Sequence, residues 1–130
     1  MATHLKPGDP APAFAAPGTD GALLRSTDFL GRKLVLYFYP MDDTPGCTKQ
    51  ACSLRDTSAS IAARGAAIVG VSAQGSESHQ RFTEKYNLNF PLLADTDLKI
   101  AKAYGVAGSG LSGLLRSVAK VSERVTFIID

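Results

Sequence analysis

The chain has only two cysteines and two histidines, its charges nearly cancel, and it contains no long apolar run. Each scarcity removes a class of function. A structural zinc site takes four ligands, and beyond Cys47 and Cys52 only His4 and His79 could join, so no metal is expected. A net charge of +2 from scattered Lys and Arg, without a basic run, leaves no footprint for nucleic acid or an anionic membrane surface. No stretch approaches the roughly 18 consecutive apolar residues of a membrane span. The opening MATHLKPGDPAPAF lacks the apolar centre of a signal peptide, so a cytoplasmic protein is expected. In a reducing compartment two cysteines point to chemistry or to chance rather than to a permanent disulfide. What remains is an ordinary globular composition: 130 residues, 45% hydrophobic and 20% charged, are enough for one domain, 1–130, with its own core.

Both cysteines fall in one segment, KLVLYFYPMDDTPGCTKQAC, from Lys33 to Cys52. Leu34 to Phe38 is a short β-prone apolar run, which reads as a strand buried on both faces, and Pro40 ends it. Thr44 offers a hydroxyl N-cap, Pro45 suits the first helical position, and helix formers follow from Lys49. Cys47 therefore sits in a first helical turn, where unpaired N–H groups and the positive end of the helix dipole favour thiolate over thiol. Taken alone, such a cysteine is equally compatible with a small buried hydrophobe.

Upstream, four of the seven prolines mark Lys6 to Pro17 as an extended lead-in. Thr19-Asp20-Gly21 predicts a turn of a short hairpin, after which Ser26 caps a single helical turn that stops at Gly31. Downstream of the segment, Cys47, Ala51, Leu54, Ser58 and Ile61 share one stripe of a helix ending at Gly65. Ala66 to Ala73 is a second buried strand, and strand, helix, strand at this spacing predicts a right-handed βαβ unit with a parallel sheet. Ser76 opens a helix that Asn87 ends, with His79, Phe82 and Tyr86 on one side; His79 reads as partly exposed beside that apolar edge. Pro91 to Leu93 is a brief strand, Thr96 caps a short helix stopped by Gly105, and Gly108 to Ser122 carries no assignable role. Arg124 to Asp130 is a last strand. An apolar strand there must be covered by something, so a C-terminally shortened domain is expected.

With these residues in hand, the chain resembles the peroxiredoxins, thiol peroxidases of thioredoxin-like fold, and most closely the bacterioferritin comigratory protein (peroxiredoxin Q) group. The signature Pro-x-x-x-Thr-x-x-Cys falls on Pro40, Thr44 and Cys47, and GDPAPAF, LLADTDLKIAKAYGV and RVTFIID carry the match over most of the chain. The resemblance implies an α/β, thioredoxin-like fold with a central mixed sheet flanked by helices, here lacking the usual last strand and C-terminal helix. It implies Cys47 as the peroxidatic nucleophile, Thr44 as its hydrogen-bonding partner, Pro40 as a shield, and Arg124 as the guanidinium that holds the thiolate and polarises the O–O bond. Gln50 either orients Arg124 or is a surface glutamine.

Cys52 is expected to resolve the Cys47 sulfenic acid through an intramolecular disulfide, making the protein an atypical 2-Cys, thioredoxin-dependent peroxidase. Its partners would be a hydroperoxide substrate and thioredoxin as reductant, and its state monomer or weak dimer. Two other functions compete. A thioredoxin-like disulfide oxidoreductase typically uses Cys-x-x-Cys, whereas the spacing here is Cys-x4-Cys. A redox sensor or holdase that binds partners when oxidised is the non-enzymatic alternative.

Overall fold

The computed structural model describes residues 5–106 and 125–129. It begins with the expected hairpin, in which β1 (Ala15–Pro17) pairs antiparallel with β2 (Leu23–Arg25). A 3-10 turn follows over Ser26–Phe29. Ser26 does not cap it as expected: its hydroxyl accepts the Phe14 N–H at 3.2 Å, and the Asp28 carboxylate instead accepts the Arg25 N–H at 3.0 Å.

The main sheet has four strands. β3 (Lys33–Phe38), β4 (Ala66–Ser72) and β5 (Leu92–Ala94) run parallel, and β6 (Val125–Ile129) joins the other side of β3 antiparallel, giving the order β5-β4-β3-β6. The parallel pair β3 and β4 is the βαβ unit that the sequence predicts, and the antiparallel β6 completes the mixed sheet that the resemblance implies. Helix α1 (Pro45–Ala63) makes the crossover between β3 and β4, α2 (Ser76–Tyr86) that between β4 and β5, and α3 (Lys99–Ala103) follows β5.

Alternation along β3 divides the core in two, because successive side chains of a strand point to opposite faces. Leu34, Leu36 and Phe38 pack with Phe14, Phe29, Leu98, Ile100 and Tyr104 on one side. There the Tyr104 hydroxyl donates to the Pro12 carbonyl at 2.7 Å, which ties down the proline-rich lead-in. Tyr37 and Tyr39 pack on the other side with Cys47 and Ala51 of α1, Phe82 of α2, and Leu88, Phe90 and Leu92.

Three further details differ from the sequence reading. Thr96 does not cap α3; the buried Asp95 does, accepting the Ile100 and Ala101 N–H groups at 3.0 and 2.9 Å. β5 is set one residue later than Pro91 to Leu93. His79 is not partly exposed but fully buried. Asn87 ends α2 as expected, in the left-handed conformation with φ 52°. The segment Gly108 to Ser122 and Arg124 lie outside the described residues.

Candidate active site

β3 delivers the chain to the top of the sheet at Tyr39, and a five-residue loop, Pro40 to Thr44, turns it into α1. Thr44 has the extended backbone of an N-cap (φ −89°, ψ 154°), and its carbonyl accepts the Thr48 N–H at 2.8 Å. Its side chain does not cap the helix, contrary to expectation; the hydroxyl donates to the Met41 carbonyl at 3.2 Å. Pro45 then opens the helix without an N–H to satisfy.

Cys47 follows two residues later, in the first turn and only 1% exposed. It shares that burial with Ala51, one turn on, and these two small side chains are the fully buried ones of α1. Pro40 and Thr44 are half-buried at the mouth of the same loop, so the structure gathers Pro40, Thr44 and Cys47 at the head of one helix. Cys52 is on α1 as well, partly exposed, and neither cysteine is in a disulfide. The helix is continuous through both, and Gln50 lies partly buried between them.

Beneath the cysteine, Tyr37 is fully buried, stacks on Tyr39 with ring centroids 5.3 Å apart and meets Phe90 edge-on. Burial, with smaller contributions from Asp42 and the two cysteines, pushes its phenol far above the ordinary range, so it stays neutral. Among the described residues its hydroxyl has no hydrogen-bond partner.

The polar part of the site lies in the loop's two aspartates, which the sequence reading passed over. Asp42 Oδ1 accepts from the Tyr39 hydroxyl at 2.5 Å, and Oδ2 accepts from the Ser78 hydroxyl and faces His79 Nδ1, both at 2.7 Å. Burial alone would raise this carboxyl, but the bonds to His79, the charge of that ring and the Tyr39 and Ser78 hydroxyls together bring it below its ordinary value. Asp43 has φ 59°, a left-handed conformation uncommon outside glycine, and turns its side chain outward. Its carboxylate accepts from Lys85 Nζ at 2.8 Å and the Tyr86 hydroxyl at 2.6 Å, and these partners, Lys85 first, lower its pKa. The alignment of His79 with Phe82 on α2 could have signalled an interior imidazole in need of a partner, though not which residue supplies it.

A groove of about 820 Å³ runs between the proline-rich lead-in and β6, but none of Pro40, Thr44, Cys47 and Cys52 lines it. Among the described residues no group of three or more His, Cys, Asp or Glu side chains could hold a metal ion, and no helix is long and apolar enough to cross a membrane.

Residues 7–130 match the AhpC/TSA family. The putative peroxiredoxin bcp of Coxiella burnetii is 41% identical over 97% of this chain and 82% of its own length. Peroxiredoxin Bcp of Escherichia coli K12 is 40% identical over 97% and 80%. Among solved structures, peroxidoxin BcpB of Mycobacterium tuberculosis superposes with a TM-score of 0.82 at 35% identity, covering 100% of this chain and 79% of that one. A cysteine-to-serine variant of PrxQ from Xylella fastidiosa gives 0.79 at 27% identity, over 89% and 70%.

Proposed function

The chain belongs to the AhpC/TSA family, and on that premise we propose that it is a thiol-dependent peroxidase for hydrogen peroxide and organic hydroperoxides, with Cys47 as nucleophile and Cys52 as resolving thiol. The observation that carries this is the setting of Cys47: a buried cysteine in the first turn of α1, directly behind the Pro40 to Thr44 loop. A helix N-terminus offers partial positive charge both to an anionic sulfur and to the oxyanion that departs from the peroxide.

In the first step the Cys47 thiolate attacks the hydroxyl-bearing oxygen of the hydroperoxide. The S–O bond forms as the O–O bond breaks, sulfur is oxidised to sulfenic acid, and the other oxygen leaves as hydroxide or alkoxide and is protonated to water or an alcohol. Thr44 turns its hydroxyl from Met41 to the peroxide, Pro40 screens the sulfur from bulk water, and Arg124 sets a guanidinium against the thiolate. In the second step the Cys52 thiol attacks the sulfenic sulfur; the S–S bond forms, the S–O bond breaks, and hydroxide leaves with the Cys52 proton as water.

Residues five apart on an intact helix have Cα atoms roughly 8 to 9 Å apart, whereas a disulfide needs about 4.4 to 6.8 Å. The first turns of α1 therefore open before the two sulfurs join. A thioredoxin-type dithiol then reduces the disulfide by exchange and restores both thiols. The cycle uses no cofactor, suits the reducing cytoplasm, and is assigned to a single domain, 1–130, acting as monomer or weak dimer. Steady-state peroxide consumption with thioredoxin and its reductase tests the proposal. The wild type is expected to turn over and Cys47→Ser to be inactive; turnover by Cys47→Ser would refute it.

A further inference from the structure

The ring of His79 stands between two oxygens. Nδ1 is 2.7 Å from Asp42 Oδ2, and Nε2 is 2.9 Å from the Leu93 carbonyl oxygen. A main-chain carbonyl can only accept, so Nε2 carries hydrogen. The Asp42 carboxylate, already accepting from Tyr39 and Ser78, can only accept too, so Nδ1 also carries hydrogen. His79 in this arrangement is an imidazolium, its side chain 0% exposed and its counterion 4% exposed. A charge buried so completely persists only with a partner, and removing one member of such a pair leaves the other stranded.

The pair joins three elements: the loop through Asp42, α2 through His79, and β5 through Leu93. The Asp42 N–H adds a bond to Gln74 Oε1 at 2.8 Å, and that oxygen also accepts from the Ser72 hydroxyl at the end of β4. Asp43 fastens the same loop to the far end of α2 through Lys85 and Tyr86. In α1, by contrast, the fully buried side chains of the first turns are small, a thiol and a methyl group from Cys47 and Ala51.

We infer that Asp42 and His79 are positioning residues for the peroxidase reaction: the buried hydrogen bonds of this pair pin the Pro40 to Thr44 loop to α2 and β5, so that opening of α1 begins at Cys47 and runs only downstream. This rests on the assignment of Cys47 and Cys52 proposed above. The pinned loop keeps Pro40 and Thr44 in register for the incoming peroxide while the helix beyond them unwinds for Cys52. Loosening the pin therefore acts in opposite directions on the two steps. Reaction with peroxide slows because the loop is misplaced, and disulfide formation speeds up because α1 opens more readily.

Rapid-quench mass spectrometry after mixing with hydrogen peroxide separates the steps, and it suits a chain without tryptophan. The double variant Asp42→Ala/His79→Leu removes both charges together and avoids a stranded ion. It is expected to form Cys47 sulfenic acid about tenfold more slowly and the Cys47–Cys52 disulfide several-fold faster than wild type. Asp42→Asn, whose amide can donate to a neutral His79 ring while its oxygen still accepts from Tyr39, is expected to restore both rates to near wild type. A double variant that changes both steps in the same direction, or neither, would overturn the inference, as would Asp42→Asn behaving like the double variant. Nitrogen-15 NMR of the wild-type histidines provides a readout independent of the cysteines: both His79 ring nitrogens protonated supports the pair, and a single neutral tautomer overturns it. Absence of any Cys47 sulfenic acid in the wild type would remove the peroxidase assignment and this role with it, whereas normal Cys47 chemistry with unaltered steps in the double variant would remove the role alone.

Discussion

The ring of Tyr37 occupies the place where Gly70 would carry a side chain. The two residues are paired across β3 and β4, and a Cβ at position 70 would lie 2.8 Å from Tyr37 Cζ and 2.7 Å from Leu92 Cδ2. Glycine in the middle of a strand is otherwise unfavourable, and here it lets an aromatic ring lie flat on the sheet under the helix that carries Cys47. Gly70→Ala is therefore expected to destabilise the protein by about 1 to 3 kcal/mol through overpacking, read as a lower urea midpoint. An unchanged midpoint would show that the ring is not confined there.

Tyr37→Phe should act in the opposite sense. The hydroxyl is buried and, among the described residues, makes no hydrogen bond, so deleting it relieves an unpaid desolvation of about 1 kcal/mol or more. A raised or unchanged urea midpoint is expected; a clear loss would mean that the hydroxyl has a partner essential to the fold.

Asp95 holds the start of α3 by accepting two backbone N–H groups. Asp95→Ala is expected to cost about 2 kcal/mol, whereas Thr96→Ala, at an exposed position, should be nearly neutral. Equal effects of the two substitutions on the urea midpoint would contradict this cap.

Asp42 sets an acid limb of stability. Its native pKa lies below the ordinary 3.8, so the unfolded chain takes up this proton first as pH falls. The stabilisation is complete well above 3.8 and is lost between that value and the lower native one. The stability advantage of wild type over Asp42→Ala/His79→Leu, in which neither group titrates, should accordingly be constant near pH 5 and shrink as pH falls below about 4. An advantage that grew on acidification would reverse the sign.

Opening of α1 should be visible by hydrogen exchange. In the reduced protein α1 is continuous from Pro45 to Ala63, and the amides from Thr48 to Ser53 are expected to be protected. After one equivalent of peroxide those amides should exchange faster while the rest of the main sheet stays protected. Unchanged protection across this segment in a fully disulfide-bonded sample would contradict the geometric argument for opening.

The sheet was legible in the sequence because its central strands are buried on both faces and read as unbroken apolar runs, Leu34 to Phe38 and Ala66 to Ala73. The candidate site was legible only as a local grouping: Pro40, Thr44 and Cys47 lie in one short segment, and Pro45 fixes where its helix begins. Hydroxyl caps were not legible. Ser26, Thr44 and Thr96 are all suitable cap residues by type, yet Ser26 is taken by Phe14, Thr44 by Met41, and Asp95 outcompetes Thr96. Those choices depend on which donor or acceptor the tertiary fold brings close. His79 was misjudged for the same reason, since its partner Asp42 is 37 residues away and nothing local marks the pairing.

The contribution expected of the site's neutral and cationic donors can be separated from that of the sulfur. Thr44→Val and Arg124→Ala should each leave the fold intact and slow the reaction of Cys47 with peroxide, by up to about a hundredfold where the donor is preorganised for the transition state. Rapid-quench rates equal to wild type in both variants would remove these two residues from the mechanism.

The central claim, that Cys47 is the thiol that meets the peroxide and Cys52 the one that resolves it, is tested most directly by peptide mass mapping after one equivalent of hydrogen peroxide. The wild type should lose two mass units and yield a Cys47–Cys52 cross-linked peptide, and Cys52→Ser should instead hold a sulfenic acid on Cys47 that a dione probe traps. Sulfenic acid on Cys52 in Cys47→Ser at the wild-type rate, or no cross-link in the wild type, would contradict it.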